Sequence, residues 1–195
     1  TIQSCRFVNN VLSTGGAAVN LSNCPELRIF DSEISFNSRP PGGHTGVTAD
    51  QFNLVEVRRC RFEGNVGTAL GGGGFGSRSM IVTDCEFIGN RATAGAGMQV
   101  TPQVSLLISN NLFLRNVATG GNGGVGGQGG ALSASESPGT IEFNTFAFDS
   151  CFGTGVGGGV RLSTGFSGTL SNNTFYGCYC EASAGAASVE VDGST

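Results

Sequence analysis

The chain contains no tryptophan and one histidine, and only 24 of its 195 residues are charged, for a formal net charge of −4. No block of Lys or Arg is present that would neutralise several phosphates, which excludes a nucleic-acid surface. A single histidine with no Cys-x-x-Cys pair leaves no zinc set, and no motif calls for a cofactor. No run approaches 18 apolar residues, so direct membrane insertion of this segment by a helix is not expected. There are five prolines, and the 34 glycines follow no three-residue period, which excludes collagen. Phe, Val, Ile and Leu are spread along the whole length, which excludes wholesale disorder.

What is present repeats. "CRFEGN" at Cys60–Asn65 returns as "CEFIGN" at Cys85–Asn90. With the aromatic of each unit as its anchor, the copies fall at Phe7, Ile34, Phe62, Phe87, Phe113, Phe146 and Phe175. The intervals are 27, 28, 25, 26, 33 and 29 residues, a solenoid period with a mean of about 28. Five residues upstream of the anchors stand Ile2, Ile29, Val57, Val82, Ile108, Ile141 and Leu170. Seven upstream stand Leu27, Val55, Met80, Leu106, Gly139 and Gly168. Apolar residues two apart among polar or small neighbours describe a short strand with one buried face.

A glycine-led strand follows each turn. It reads "GGAAVNL" at Gly15–Leu21, "GAGMQV" at Gly95–Val100, "GGALSA" at Gly129–Ala134 and "GGGVRL" at Gly157–Leu162. Weaker copies stand at Gly46–Ala49 and Ala69–Leu70, and the last, "GAASVEV", is displaced by one. No window offers a capped amphipathic helix. The expectation is an all-β parallel β-helix of about seven coils with three short strands each. Residues 1–195 would form a single segment, part of a longer solenoid, because neither end shows a cap against edge pairing.

Columns of equivalent residues then acquire roles. The anchors form a buried stack. Three residues on come Asn10, Asn37, Asn65, Asn90 and Asn116, followed by Asp149 and Cys178; inward amides at a corner can satisfy backbone groups that strands do not reach. Phe fills each coil and Asn ties each corner. One residue before the anchor, Arg6, Glu33, Arg61 and Glu86 alternate in sign and are expected to face solvent, followed by Leu112, Thr145 and Thr174.

The units "CRFVNN…GGAAV", "CEFIGN…GAGMQV" and "NLFLRN…GGALSA" resemble the F-x-x-N and G-G-A-[ILV] repeats of the chlamydial polymorphic outer-membrane proteins. More broadly they resemble the right-handed parallel β-helices that include pectate lyases. The F-x-x-N pattern holds at Phe7/Asn10, Phe62/Asn65, Phe87/Asn90, Phe113/Asn116 and, with Ile as anchor, Ile34/Asn37; it lapses at Asp149 and Cys178. The resemblance implies a right-handed helix and a secreted, extracellular or cell-surface place.

Seven cysteines are an odd count, so intrachain pairing cannot be complete. Cys60 and Cys85 lie on adjacent coils, in the column two before the anchor. Coil spacing suits a disulfide there, and equally a stack of buried thiols. Cys5 shares that column two coils away, with Ser32, Asn111, Asn144 and Asn173 in the remaining coils. Cys151 and Cys180, each five past its anchor, form a second candidate pair, leaving Cys5, Cys24 and Cys178 free. "TGGNGGVGGQGG" at Thr119–Gly130 reads as a loop excursion and Ser38–Gly46 as a shorter protrusion. The outward apolar residues Ile81, Leu107 and Leu112 ask for a cover, from that loop or from a neighbouring domain. Sequons stand at Asn20 and Asn172.

No catalytic set assembles. Glycoside hydrolysis needs two opposed carboxylates, but Arg59 stands between Asp31 and Asp84, Asp149 has no acidic neighbour in its column, and Glu142 lies seven residues back on the same coil. The expectation is a non-catalytic structural or adhesive scaffold. Its partners would be other copies, adjoining coils of the same long chain, surface proteins or glycans. The alternative is a carbohydrate-binding module, and more remotely a pectate-lyase-like lyase or hydrolase.

Overall fold

The structure is a computed structural model, and it describes residues 1–11, 17–38, 44–73, 78–100, 103–120, 127–163 and 165–189. These wind into a right-handed all-β solenoid whose every strand pairing is parallel to the equivalent strand one coil away. An upstream sheet, running from Ile2–Gln3 to Ser167–Ser171, and an anchor sheet, running from Arg6–Val8 to Thr174–Tyr176, are each seven strands deep. A closing sheet from Val19–Ser22 to Ala187–Val189 has the same depth. In the last closing strand Ala187 lies beside Val160 and Val189 beside Leu162.

A fourth sheet was not foreseen. It consists of two-residue strands, Arg91–Ala92, Val117–Ala118, Ser150–Cys151 and Tyr179–Cys180, continued in earlier coils by the single bridges Val11–Ser38–Val66–Arg91. Two residues are too short to show a period, so only the ladder reveals them.

The interior is filled coil by coil. Upstream strands contribute Leu27 and Ile29, Val55 and Val57, Met80 and Val82, then Leu106 and Ile108. Phe62, Phe87, Phe113 and Phe146 are fully buried and stack face to face, with ring centroids 4.7–4.8 Å apart. Strand spacing dictates that separation, and each ring contributes about 1.5–3 kcal/mol by burial. The stack explains the small residues ahead of the closing strands. A Cβ at Gly97 would lie 3.0 Å from the Phe113 ring and 2.8 Å from the Ala131 carbonyl. Glycine there admits the next coil's anchor.

Two columns of left-handed backbone flank the anchor strand. Before it, Ser4, Asp31, Arg59, Asp84, Asn110, Phe143 and Asn172 have φ between 51° and 57°. After it come Asn9, Phe36, Gly64, Gly89, Arg115, Phe148 and Gly177, between 55° and 61°. For a non-glycine residue this conformation costs roughly 1–2 kcal/mol, so something must hold each corner. The residue that follows does so by turning inward.

Asn37, Asn65, Asn90 and Asn116 are fully buried. The Oδ1 of each accepts from the backbone N–H and the Nδ2 of its equivalent in the preceding coil, as Asn90 does from Asn65 at 3.0 and 2.9 Å. Each Nδ2 also donates to the preceding anchor's carbonyl; Asn90 reaches Phe62 O at 3.0 Å.

The other corner carries a second ladder, in the column that Cys5, Cys60 and Cys85 share with Ser32, Asn111, Asn144 and Asn173. There Asn111 Oδ1 accepts from Cys85 N, Asn144 Oδ1 from Asn111, and Asn173 Oδ1 from Asn144. Cys60 and Cys85 belong to this ladder as buried free thiols, so of the two arrangements open to them the thiol stack is adopted and the disulfide is not. Their sulfurs do an amide's work. Cys85 Sγ accepts from Cys60 N at 3.4 Å, and each thiol donates to the carbonyl two residues upstream, Arg58 or Thr83, at 3.2 Å. The Cys60 side chain, together with burial, pushes the Cys85 thiol well above its ordinary pKa, against the opposing effect of the Cys60 N–H, and keeps it protonated.

Cys151 and Cys180 are register partners in the short sheet and form a disulfide, with Cα atoms 4.7 Å apart. It closes a loop of 29 residues, for which chain entropy gives about 3.6 kcal/mol. Reduction, or Cys151→Ser with Cys180→Ser, is expected to lower the urea midpoint by a corresponding amount. Unchanged midpoints with and without reductant would refute this.

Candidate interaction surface

The first left-handed column turns the chain so that its residues project outward beside the outward face of the anchor strand. Between the two rows lies a groove of about 640 Å³, lined by Arg6, Asp31, Glu33, Arg59, Arg61, Asp84 and Glu86 among others. Its charges are bonded from coil to coil. Arg6 Nε lies 2.6 Å from Glu33 Oε2. Arg59 grips both oxygens of Asp31, at 2.7 and 3.1 Å. Arg61 pairs with Glu63 at 2.9 Å and with Glu86 on the next coil. Asp84 is separated from Asp31 by Arg59 and instead accepts from Asn110 Nδ2 at 2.6 Å.

The hydrogen bond from Arg59 holds the Asp31 carboxyl below its ordinary pKa, and that from Arg6 does the same for Glu33. All ten basic residues of the chain are arginine, whose planar fork suits such bridges between coils. The register pairs Arg6 with Glu33, Glu33 with Arg61 and Arg61 with Glu86. The column therefore alternates in sign, as its sequence suggested.

Beyond the fourth coil the outer face changes character. Leu112, Thr145 and Thr174 continue the column, and exposed aromatics appear. Phe143 is 56% and Tyr176 63% exposed, and Phe148, Phe152 and Tyr179 are also exposed. Phe148 and Tyr176 meet edge to face at 5.1 Å, Phe152 and Tyr179 are tilted at 6.0 Å, and the Arg115 guanidinium lies 6.0 Å from the Phe148 ring. Sequence reasoning missed this patch, although a signal existed. Phe143 and Phe148 sit three before and two after the anchor Phe146, in the corner columns where other coils carry polar residues, glycine or Phe36.

Of the outward apolar residues, Leu107 is exposed while Ile81 and Leu112 are half-buried. Within the glycine-rich excursion, 121–126 lie outside the described residues, as do 39–43 of the shorter protrusion. Asn20 projects from a closing strand and Asn172 from a corner, both exposed. Glu142 ends an upstream strand, half-buried, and Asp149 is wholly interior. Among the described residues no group of three His, Cys, Asp or Glu could hold a metal ion.

Residues 1–156 match a family model described as right handed beta helix region. The chain belongs to the right-handed β-helix family. No curated protein and no solved structure matches it. The match covers the first five anchors, the sixth at Phe146, and every charged residue of the groove. This β-helix displays bonded charge on its early coils and aromatic rings on its late ones.

Proposed function

We propose that this β-helix is a non-catalytic extracellular or cell-surface scaffold that presents its repetitive outer face to protein partners or to neighbours of its own kind. The observation that carries this reading is the closure of the groove's charges, Asp84 apart, into ion pairs between successive coils. Asp31 and Glu33 are held below the ordinary carboxylate range, away from the near-neutral pKa that suits a general acid or base. The F-x-x-N and G-G-A-[ILV] units support a likeness to polymorphic outer-membrane-type repeats. The Cys151–Cys180 disulfide suits an oxidising compartment, and the exposed sequons at Asn20 and Asn172 suit glycan attachment in a secreted protein.

The test is to present the purified chain with acidic and neutral glycans, with and without calcium, recording binding and product release. The scaffold reading expects neither. Product release would overturn it and direct mutagenesis to Asp31, Arg59 and Asp84. Binding without turnover would favour a carbohydrate-binding module. The paired aromatics Phe148/Tyr176 and Phe152/Tyr179 speak for that second reading, because exposed rings can stack on sugars. Phe148→Ala with Tyr176→Ala would then abolish retention.

A further inference from the structure

We propose that Asp149 is a proton-operated latch: as the neutral acid it completes the asparagine ladder between the fifth and sixth coils, and on ionisation it releases that corner. Five coils end this corner with an amide, and the sixth ends it with a carboxyl in the same position. Asp149 Oδ1 does what an amide oxygen does, accepting from Asn116 N at 2.8 Å and Asn116 Nδ2 at 2.9 Å. The other oxygen stands where an asparagine would have its NH₂. Every earlier rung from Asn37 to Asn116 donates from that position to the preceding anchor's carbonyl, as Asn116 does to Phe87 O at 2.9 Å. By the repeat, the atom facing Asp149 Oδ2 is the Phe113 carbonyl.

Two oxygens without a proton between them repel, whereas a protonated Oδ2 donates as the amide would. The side chain is fully buried, and Oδ2 has no partner among the described residues. An ionised form would thus be desolvated, with the charge on Oδ2 unpaired.

The neighbours bring no positive charge, and burial outweighs the hydrogen bonds from Asn116 and the Ala147 backbone that favour the ionised form. The preceding coil presents Asn116, which is neutral. The following coil presents Cys178, whose thiol is pushed up by burial and bonds to Phe146 O at 3.4 Å. Arg115 projects outward over Phe148. Burial raises the Asp149 pKa from 3.8 to about 7. A carboxyl raised in the folded state favours folding fully below its unfolded value. That advantage shrinks as pH rises toward the folded value and is gone above it. The corner is therefore closed most firmly in acid and loosens up to about pH 7.

The reporters are the amides that close this corner: Phe148 N on Tyr176 O, Ser150 N on Asn116 O and Tyr179 N on Asp149 O. Their hydrogen-exchange protection, corrected for intrinsic rate at each pH, is measured from pH 4.5 to 8.5 in the wild type and in Asp149→Asn. Wild-type protection is expected to fall about tenfold per pH unit up to near neutrality and then level. In Asp149→Asn it stays flat, as does the Arg91 amide, which closes an earlier corner on Asn65 O, in both proteins. Should the variant not fold, the wild-type carboxyl resonance decides, with a midpoint near 7 supporting the latch. A midpoint near the ordinary carboxyl value, or equal slopes in the two proteins, overturns it.

Discussion

Phe113→Ala is expected to lower the unfolding free energy by about 3–5 kcal/mol, a large part of the 5–15 kcal/mol typical of a domain. The ring is fully buried between two others, with Phe87 4.7 Å away on one side and Phe146 4.8 Å away on the other. Removal forfeits its transfer energy and both stacking contacts, and leaves a cavity that strand spacing prevents from collapsing. In a solenoid each coil holds only its neighbours, so a break at the middle also uncouples the halves. Urea unfolding followed by circular dichroism should become broader or biphasic as well as earlier. Phe7→Ala is the comparison, because Phe7 packs at the edge of the core and is only partly buried. A loss below about 1 kcal/mol at Phe113 would refute the account of the stack.

Asn90→Ala is expected to cost about 4 kcal/mol without removing any apolar contact of comparable size. The substitution takes away the acceptor of Asn65 N and Asn65 Nδ2 and the donor to Phe62 O, all in a buried corner. Each orphaned buried group costs about 1–3 kcal/mol. Asn10→Ala, at the exposed end of the ladder, should cost far less. Asn90→Asp separates shape from hydrogen bonding. It keeps an acceptor for Asn65 but places a second oxygen against Phe62 O. Its stability should therefore fall as pH rises from acid toward neutral, the same sign as at Asp149. If Asn90→Ala and Asn90→Asp were equally mild at every pH, the ladder would not be what holds the corners.

The anchors and the first asparagine ladder were legible in sequence because one residue type recurs at one offset. Phe62, Phe87 and Phe113 share a column, and Asn65, Asn90 and Asn116 stand three residues on from each. The second ladder was hidden by substitution. Cys5, Ser32, Cys60 and Cys85 occupy its first four rungs, and a thiol or hydroxyl accepts a backbone N–H well enough to stand in for an amide. Composition drew attention to sulfur, and the shared role of Asn111, Asn144 and Asn173 went unread. The two-residue strands of the fourth sheet carry no period at all. The outer face is least legible, because sign alternation at Arg6, Glu33, Arg61 and Glu86 is visible in sequence whereas the grip of Arg59 on Asp31 depends on side-chain reach.

Register in this molecule is independent of coil length. Phe62 and Phe87 are 25 residues apart and Phe113 and Phe146 are 33 apart, yet both pairs sit side by side in the ladder and stack at 4.8 Å. Closing a loop a few residues longer costs only a few tenths of a kcal/mol. The rungs therefore fix pitch, while the chain between them is free to change. Such a body can acquire foreign segments at the corner after Asn116 while its neighbours keep their places. That makes it suited to diversification by insertion as well as by substitution, and to carrying grafted peptides there.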